Sequence, residues 1–125
     1  MTFKRLSFGQ DGEKRAVKFL KKNKYRILET NFTTKAGEID IVAEQGGVLV
    51  FVEVKSRADN EHGHPLDAVT SAKQRKLIQV AERFRISNGL LGRDCRFDVV
   101  AITGAPEDPK SWKLELFQDA FRFHV

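Results

Sequence analysis

The stretch GEIDIVAEQGGVLVFVEVKSR, residues 37–57, decides the fold of this chain. Two runs rich in Val, Ile and Phe flank Gly46-Gly47, and a Gly-Gly pair between such runs predicts a two-residue β-hairpin turn. The facing pairs are then, outward from the turn, Gln45–Val48, Glu44–Leu49, Ala43–Val50, Val42–Phe51, Ile41–Val52, Asp40–Glu53, Ile39–Val54 and Glu38–Lys55. One face of this hairpin is apolar, and the other carries charged groups.

The charged side chains gather at the open end of the hairpin. Side chains alternate with period two along a strand, so Glu38, Asp40, Glu53 and Lys55 are predicted to share one face. Carboxylates directly across a strand pair repel each other, and a half-buried pair needs a compensating charge or a shared proton. One lysine offsets part of this repulsion, and a divalent cation offsets more. Since one or two carboxylates with open positions usually hold Mg²⁺ in proteins, the pattern indicates a Mg²⁺ site.

A metal ion, a carboxylate and a nearby lysine together suit phosphodiester hydrolysis. The ion polarises the phosphate, lowers the pKa of the attacking water and stabilises the leaving oxygen. An ammonium group adds positive charge where negative charge develops. The hairpin therefore favours a nuclease.

The order of these residues resembles a known catalytic pattern. An acidic residue that opens a strand, a hairpin turn and then Glu-x-Lys resemble the restriction-endonuclease-like superfamily. A longer set of segments is similar to the YraN-type bacterial family of predicted endonucleases, which is distantly similar to archaeal Holliday-junction resolvases. The segments are Gly12-Glu13, Asn31, GEID at 37–40, FVEVKSR at 51–57, Lys73-Gln74 and RFDVV at 96–100. The resemblance covers almost the whole chain, from about Gly9 to Phe121.

The resemblance implies an endodeoxyribonuclease that depends on Mg²⁺ or Mn²⁺ and acts on DNA, with branched or junction DNA as a candidate substrate. Asp40 and Glu53 are expected to bind the metal, and Glu13 to serve as an outer or additional ligand. The main-chain carbonyl of Val54 is expected to complete the coordination. A first-turn glutamate favoured by the helix dipole is the alternative role for Glu13.

The resemblance also implies roles for Lys55 and Gln74. Lys55 is expected to stabilise the transition state or to help deprotonate the water, with Glu38 opposite to tune it. Gln74 is expected to orient the water, and a hydrogen bond from Gln74 to the backbone is the alternative. Asn31 is expected to hold a turn through its side chain.

Composition and charge set the class of protein. The chain has 125 residues, enough for one domain, with a net charge of +5, a single cysteine and no apolar run long enough to span a membrane. We expect a cytoplasmic protein without a signal peptide and, from the charge, a polyanionic partner. The expected DNA contacts are Lys14, Lys18, Arg57, Lys73, Arg75 and Lys76. Solvated helix faces are the alternative reading of these basic groups.

The predicted architecture is α/β, with a restriction-endonuclease-like core and a mixed β-sheet flanked by helices in the order α-β-β-β-α-β-β. Residues 1–8 are expected to be a flexible arm, residues 9–24 a helix and residues 25–29 a strand. Thr70 or Ser71 begins the second helix, whose apolar stripe contains Leu77, Ile78, Ala81 and Phe84. Residues 95–103 and 112–117 are the last two strands.

Several further expectations concern residues or functions outside this scheme. His62 and His64 have the spacing of zinc ligands, but no second Cys or His cluster completes four ligands, so exposed or phosphate-contacting roles are favoured. Asp98 is expected to be a structural partner. A non-catalytic nucleic-acid-binding module with a nuclease-like fold is the rival function, RNA is an open alternative to DNA, and a homodimer would suit a cut of two strands.

Overall fold

The computed structural model describes residues 2–58 and 63–122. Within them the order of helices and strands is the predicted α-β-β-β-α-β-β, so the α/β class is confirmed. The elements are α1 (Thr2–Lys22), β1 (Arg26–Thr34), β2 (Gly37–Gln45), β3 (Val48–Arg57), α2 (Ser71–Ser87), β4 (Cys95–Thr103) and β5 (Lys113–Phe121). Short 3₁₀ turns at Pro65–Ala68 and Pro109–Ser111 precede α2 and β5.

The strands of the described residues form one mixed sheet in the order β1-β2-β3-β4-β5. Neighbouring strands are antiparallel except β3 and β4, which run parallel. A parallel neighbour requires a crossover connection, and α2 lies in that connection. The mixed sheet covered by helices is confirmed, and it is consistent with a restriction-endonuclease-like core.

The hairpin of β2 and β3 has the predicted register from its turn to Ile41. Gln45 pairs with Val48, and the pairing continues to Ile41 and Val52. Gly46 and Gly47 have positive φ angles of 56° and 82°. Both central residues of a type I′ turn need positive φ, which glycine adopts without steric cost, so the Gly-Gly pair fixes the register.

Alternation along the strands separates two hydrophobic clusters. Ala16 and Leu20 of α1 pack with Ile41, Val50 and other residues on one face of the sheet. The opposite face packs against α2, whose buried residues are Leu77, Val80, Ala81 and Phe84. Each large side chain buried here contributes about 1.5–3 kcal/mol, so these clusters attach α1 and α2 to opposite faces.

The alternation changes near Asp40, where the predicted pairing is wrong. Ile39 belongs to the cluster under α2, whereas Ile41 belongs to the cluster under α1. The β2–β3 register ends at Ile41–Val52, so the expected pairs outside it are absent from this ladder. The physical reason is a side-chain acceptor: the amide N–H of Val54 donates to Oδ2 of Asp40 over 2.8 Å.

Three predicted boundaries were also wrong. The helix backbone begins at Thr2 and not at the predicted residue 9. Glycine inside a helix costs about 1 kcal/mol relative to alanine, and Gly9 does not interrupt α1. β1 extends to Thr34 because its polar residues lie on an edge strand and still pair with β2. β5 begins at Lys113 and reaches Phe121, past the predicted end at 117.

Asp98 is a structural partner, as predicted. Its carboxylate is fully buried and accepts hydrogen bonds from Tyr25 Oη at 2.6 Å and Arg96 Nε at 3.0 Å. It also accepts one at 2.9 Å from the backbone N–H of Asp119, a residue with a positive φ of 53° where β5 shifts register. A buried carboxylate with this many donors is well compensated, and it holds the irregular end of β5.

Candidate active site

Asp40 of β2 and Glu53 of β3, here called the acidic pair, lie together where the hairpin ladder ends. The side chain of Glu53 is buried, with the residue only 7% exposed. Burial, and after it the charge of Glu53, raises the pKa of Asp40 to about 8. The acidic pair by itself therefore holds a proton at neutral pH, which is the behaviour of carboxylates that lack sufficient positive charge.

Two lysine ammonium groups meet the same oxygen of the acidic pair. Nζ of Lys73 lies 2.8 Å from Oε2 of Glu53, and Nζ of Lys55 lies 3.6 Å from it. Burial, and after it the hydrogen bond with Lys73, lowers the pKa of Lys55. Burial also acts to lower the pKa of Lys73, but the bonds to Glu53 and Lys55 outweigh it and raise that pKa. Lys73 is therefore the firmer cation at this oxygen.

The start of α2 places Lys73 there. The hydroxyl of Thr70 accepts the backbone N–H of Lys73 at 3.2 Å and caps the helix, as predicted for this residue. The buried stripe of α2 contains Leu77, Val80 and Phe84. One helical turn before Leu77 is Lys73, so the stripe that faces the sheet leads directly to Glu53.

Glu13 of α1 approaches the acidic pair from the face of the sheet opposite to the one that α2 covers. The Nδ2 group of Asn31 donates to Oε1 of Glu13 over 2.6 Å. Burial raises the pKa of Glu13, the Asn31 bond lowers it and the charge of Glu38 raises it. The charge of Glu13 is also among the causes that raise the pKa of Asp40, so Glu13 lies within electrostatic reach of the acidic pair.

Asn31 has a different position from the predicted turn. It lies inside β1 with a positive φ of 55°, a conformation that asparagine tolerates better than most residues. The strand continues on both sides of it. Its side chain therefore positions Glu13 and does not have the predicted role of holding a turn.

Gln74 and Glu38 have other partners than those expected. Nε2 of Gln74 donates to the carbonyl oxygen of Val69 over 2.9 Å, the backbone hydrogen bond left open as its alternative. Oε2 of Glu38 accepts from the hydroxyl of Thr33 at 3.3 Å. The expected pairing of Glu38 with Lys55 was wrong, because the ladder that would have aligned them ends at Ile41.

The residues present fit one metal ion only if water or substrate completes its coordination. Within the described parts of the chain, His, Cys, Asp and Glu form no cluster of three or more that would hold a metal. Mg²⁺, however, keeps several waters and is usually bound through one or two carboxylates plus substrate phosphates. The acidic pair meets this requirement, and a ligand role for the Val54 carbonyl stays a prediction.

His64 of the His-x-His pair holds the short turn before α2. Nδ1 of His64 accepts the backbone N–H of Leu66 at 3.1 Å and caps the 3₁₀ turn that follows. The His64 ring also contacts the ring of Phe117, with centroids 5.0 Å apart. His62 lies outside the described residues. His64 thus organises the segment that leads into α2.

The predicted DNA-contacting residues lie on both helices and at the end of β3. Lys14 and Lys18 are exposed on α1, Arg75 and Lys76 are exposed on α2, and Arg57 is half-buried at the end of β3. Since α1 and α2 cover opposite faces of the sheet, the basic groups of the two helices lie on opposite sides of it. Whether they meet nucleic acid stays a prediction.

Comparison with known proteins settles the family. Residues 12–102 match the profile described as "Uncharacterised protein family UPF0102". The chain belongs to the UPF0102 family. It is 43% identical over 113 residues to a UPF0102 protein of Symbiobacterium thermophilum, covering 90% of this chain and 94% of that relative. A UPF0102 protein of Chlorobium phaeobacteroides is 39% identical over 117 residues, which is 91% of this chain and 92% of the relative. The YraN-type family recognised from the motifs is thereby confirmed.

The sequence does not predict two contributors to the site of this UPF0102 protein. Lys73 is predicted to contact phosphates, whereas it directly contacts Glu53. One turn before Leu77 is Lys73, but the predicted stripe contains Ile78 in place of the buried Val80 and leads to Gln74. Asn31 is predicted to hold a turn, and its link to Glu13 has no local signal because 18 residues separate the two.

The helices of this UPF0102 protein show no membrane-spanning character. Within residues 2–58 and 63–122, no helix is both long and apolar enough to cross a bilayer.

Proposed function

We propose that this protein is a metal-dependent endonuclease that hydrolyses phosphodiester bonds of DNA. The observation that carries the proposal is the acidic pair with Lys55 and Lys73 on one oxygen of Glu53. An added divalent charge would stabilise the ionised form of two close carboxylates, of which Asp40 has a pKa raised to about 8. Carboxylates and ammonium groups in this arrangement suit the negative charge that develops on a phosphate during hydrolysis.

Each residue then has a distinct role. Asp40 and Glu53 would hold Mg²⁺ or Mn²⁺, with Glu13 as an outer ligand held by Asn31. The bound ion supplies polarisation of the phosphate and a lower pKa for the attacking water. The Val54 N–H fixes the orientation of the Asp40 carboxylate through a 2.8 Å bond. Lys55 stabilises the transition state or accepts a proton from the water. Its pKa is lowered, chiefly by burial.

The surface supports a polyanionic substrate. The net charge is +5, and exposed basic residues lie on both α1 and α2. Contacts to phosphates provide most of the affinity for DNA and make it dependent on salt. Branched or junction DNA is the proposed substrate class, and a dimer would present paired sites to a two-fold symmetric junction.

The experiment compares cleavage of end-labelled linear, single-stranded, flapped and four-way-junction DNA with Mg²⁺ or Mn²⁺. The variant Glu53→Gln removes the charge and keeps the volume of the side chain, and Glu107→Gln, on an exposed turn, is the matched control. We expect the parent and Glu107→Gln to cut while Glu53→Gln does not. Equal cleavage by all three proteins would show a contaminating nuclease and would contradict the proposal.

A second function is favoured by one observation. Lys73 already neutralises part of the charge on Glu53, so a protein that only binds nucleic acid could keep the acidic pair folded without a metal. Such a module would shift DNA or RNA in a gel and cut neither. The same assay, run with RNA substrates beside DNA, distinguishes this module from the nuclease, and size-exclusion chromatography measures the oligomeric state.

A further inference from the structure

Lys73 occupies the position at Glu53 where an incoming cation would be expected. Its Nζ atom lies 2.8 Å from Oε2, closer than Lys55 at 3.6 Å. The contact is a direct ion pair with a carboxylate that is almost wholly buried. Lys73 is therefore the principal positive charge on the acidic pair in this structure.

A divalent ion and the Lys73 ammonium do not fit comfortably on the same oxygen. Mg²⁺ binds carboxylate oxygens at about 2.0–2.1 Å, so an ion on Oε2 would lie within about 5 Å of Nζ. Like charges at this separation repel strongly where water is partly excluded. Lys55, near the same oxygen, adds to the repulsion. Of the two lysines, Lys73 has the side chain that is freer to move away, since it is 37% exposed and that of Lys55 only 23%.

A groove beside Lys73 can accept its side chain in a second position. A groove of about 170 Å³ is lined by Lys73 itself and by Glu38, Lys76 and Leu77 among others. The carboxylate of Glu38 is exposed, with the Thr33 hydroxyl at 3.3 Å as a contact. A lysine side chain is long and flexible, with strongly hydrated charge, so rotation from Glu53 into this groove keeps its ammonium hydrated and close to an acidic group.

We propose that Lys73 is an exchangeable counter-ion: it neutralises Glu53 when no metal is bound and is displaced by the divalent ion. This inference rests on the proposed metal site. The displaced ammonium then lies at the mouth of the site, where a substrate phosphate replaces the lost carboxylate partner. Exchange of this kind keeps the buried acidic pair compensated in both states.

The first test measures Mn²⁺ affinity by titration calorimetry for the parent, Lys73→Met and Lys22→Met. Methionine keeps an unbranched side chain and removes the charge, and Lys22, exposed at the end of α1, is the matched control. A like charge within about 4–6 Å shifts a charge equilibrium by about tenfold or more. We therefore expect Lys73→Met to bind Mn²⁺ at least about tenfold more tightly than the parent and Lys22→Met to bind like the parent. Glu53→Gln should abolish the heat of binding and so assign it to the site.

The second test follows the chemical reactivity of Lys73 directly. Reductive methylation read by mass spectrometry should be faster at Lys73 with Mn²⁺ than in EDTA, while the rate at the exposed Lys22 stays constant. This readout does not depend on activity, and the parent protein serves for it.

Two outcomes would overturn the inference in different ways. Equal or weaker Mn²⁺ binding by Lys73→Met, with cleavage by the parent intact, would refute exchange and leave the endonuclease proposal standing. Absence of Mn²⁺ binding by the parent, together with absence of cleavage, would refute both. Thermal unfolding of each variant in EDTA shows whether Lys73→Met is folded.

Discussion

Because the pKa of Asp40 is raised, the metal-free protein should lose stability as pH rises, whereas a carboxyl group with a lowered pKa has the opposite effect. The ordinary pKa is 3.8 and the folded protein raises it to about 8, chiefly by burial. The folded state therefore holds a proton that the unfolded state has released, and stability is lost as pH rises towards 8. One pKa unit corresponds to about 1.4 kcal/mol, so roughly 2.5 kcal/mol should disappear between about pH 6 and pH 8, with little further loss from Asp40 above that.

The perturbation that isolates this effect is Asp40→Asn, which resembles the protonated side chain at every pH. Urea unfolding of parent and variant in EDTA, followed by circular dichroism at half-unit steps of pH, gives the difference in unfolding free energy. We expect the parent to lose stability relative to Asp40→Asn as pH rises. The lowered pKa of Lys55 contributes the opposite sign in both proteins, so the difference curve reports Asp40.

Asp108→Asn is the matched control, because Asp108 lies on an exposed turn without a side-chain capping bond. Its curve should run parallel to that of the parent. If the Asp40→Asn curve also ran parallel to the parent from about pH 6 to pH 9, the carboxyl would not be protonated in the folded state. The reasoning from burial and from the charge of Glu53 would then be refuted.

The remaining predictions concern other parts of the molecule. Asp98→Ala should destabilise the protein by about 3–5 kcal/mol in urea unfolding, since buried donors including Arg96 would lose their charged acceptor; a cost below about 1 kcal/mol would contradict this. Gly104→Ala should cost about 1–3 kcal/mol in the same assay, because a Cβ atom there would lie 2.8 Å from the Trp112 ring. The double variant Lys14→Gln and Lys18→Gln should reduce the slope of log affinity for duplex DNA against log salt by about 2; an unchanged slope would remove both from the interface.

The hairpin could be predicted from sequence because two signals agreed. A Gly-Gly turn set the register, and strict alternation set the buried faces as far as Ile41. Beyond that point the prediction failed, since pattern reasoning assumes that backbone groups pair with backbone groups. The carboxylate of Asp40 takes the place of a backbone acceptor, which no period in the sequence reveals.

The helix stripes show why one site residue was anticipated and another misplaced. On α1, Ala16 and Leu20 led back one turn to Glu13, which the structure brings within electrostatic reach of Asp40. On α2, Ile78 and Val80 are both apolar and only two residues apart, so the sequence alone did not decide which one faces the sheet. The structure buries Val80, and this rotation of the stripe brings Lys73 instead of Gln74 to the acidic pair.

The amide of Val54 offers a spectroscopic view of the acidic pair. Its proton is donated to the carboxylate of Asp40, the proposed metal ligand, while Val52, two residues earlier, lies in the regular register opposite Ile41. In an ¹H–¹⁵N correlation spectrum, the Val54 cross-peak should therefore move when Asp40 ionises and move again when Mg²⁺ is added. This single backbone resonance can thus report, without a substrate, on the charge of the carboxylate beside it.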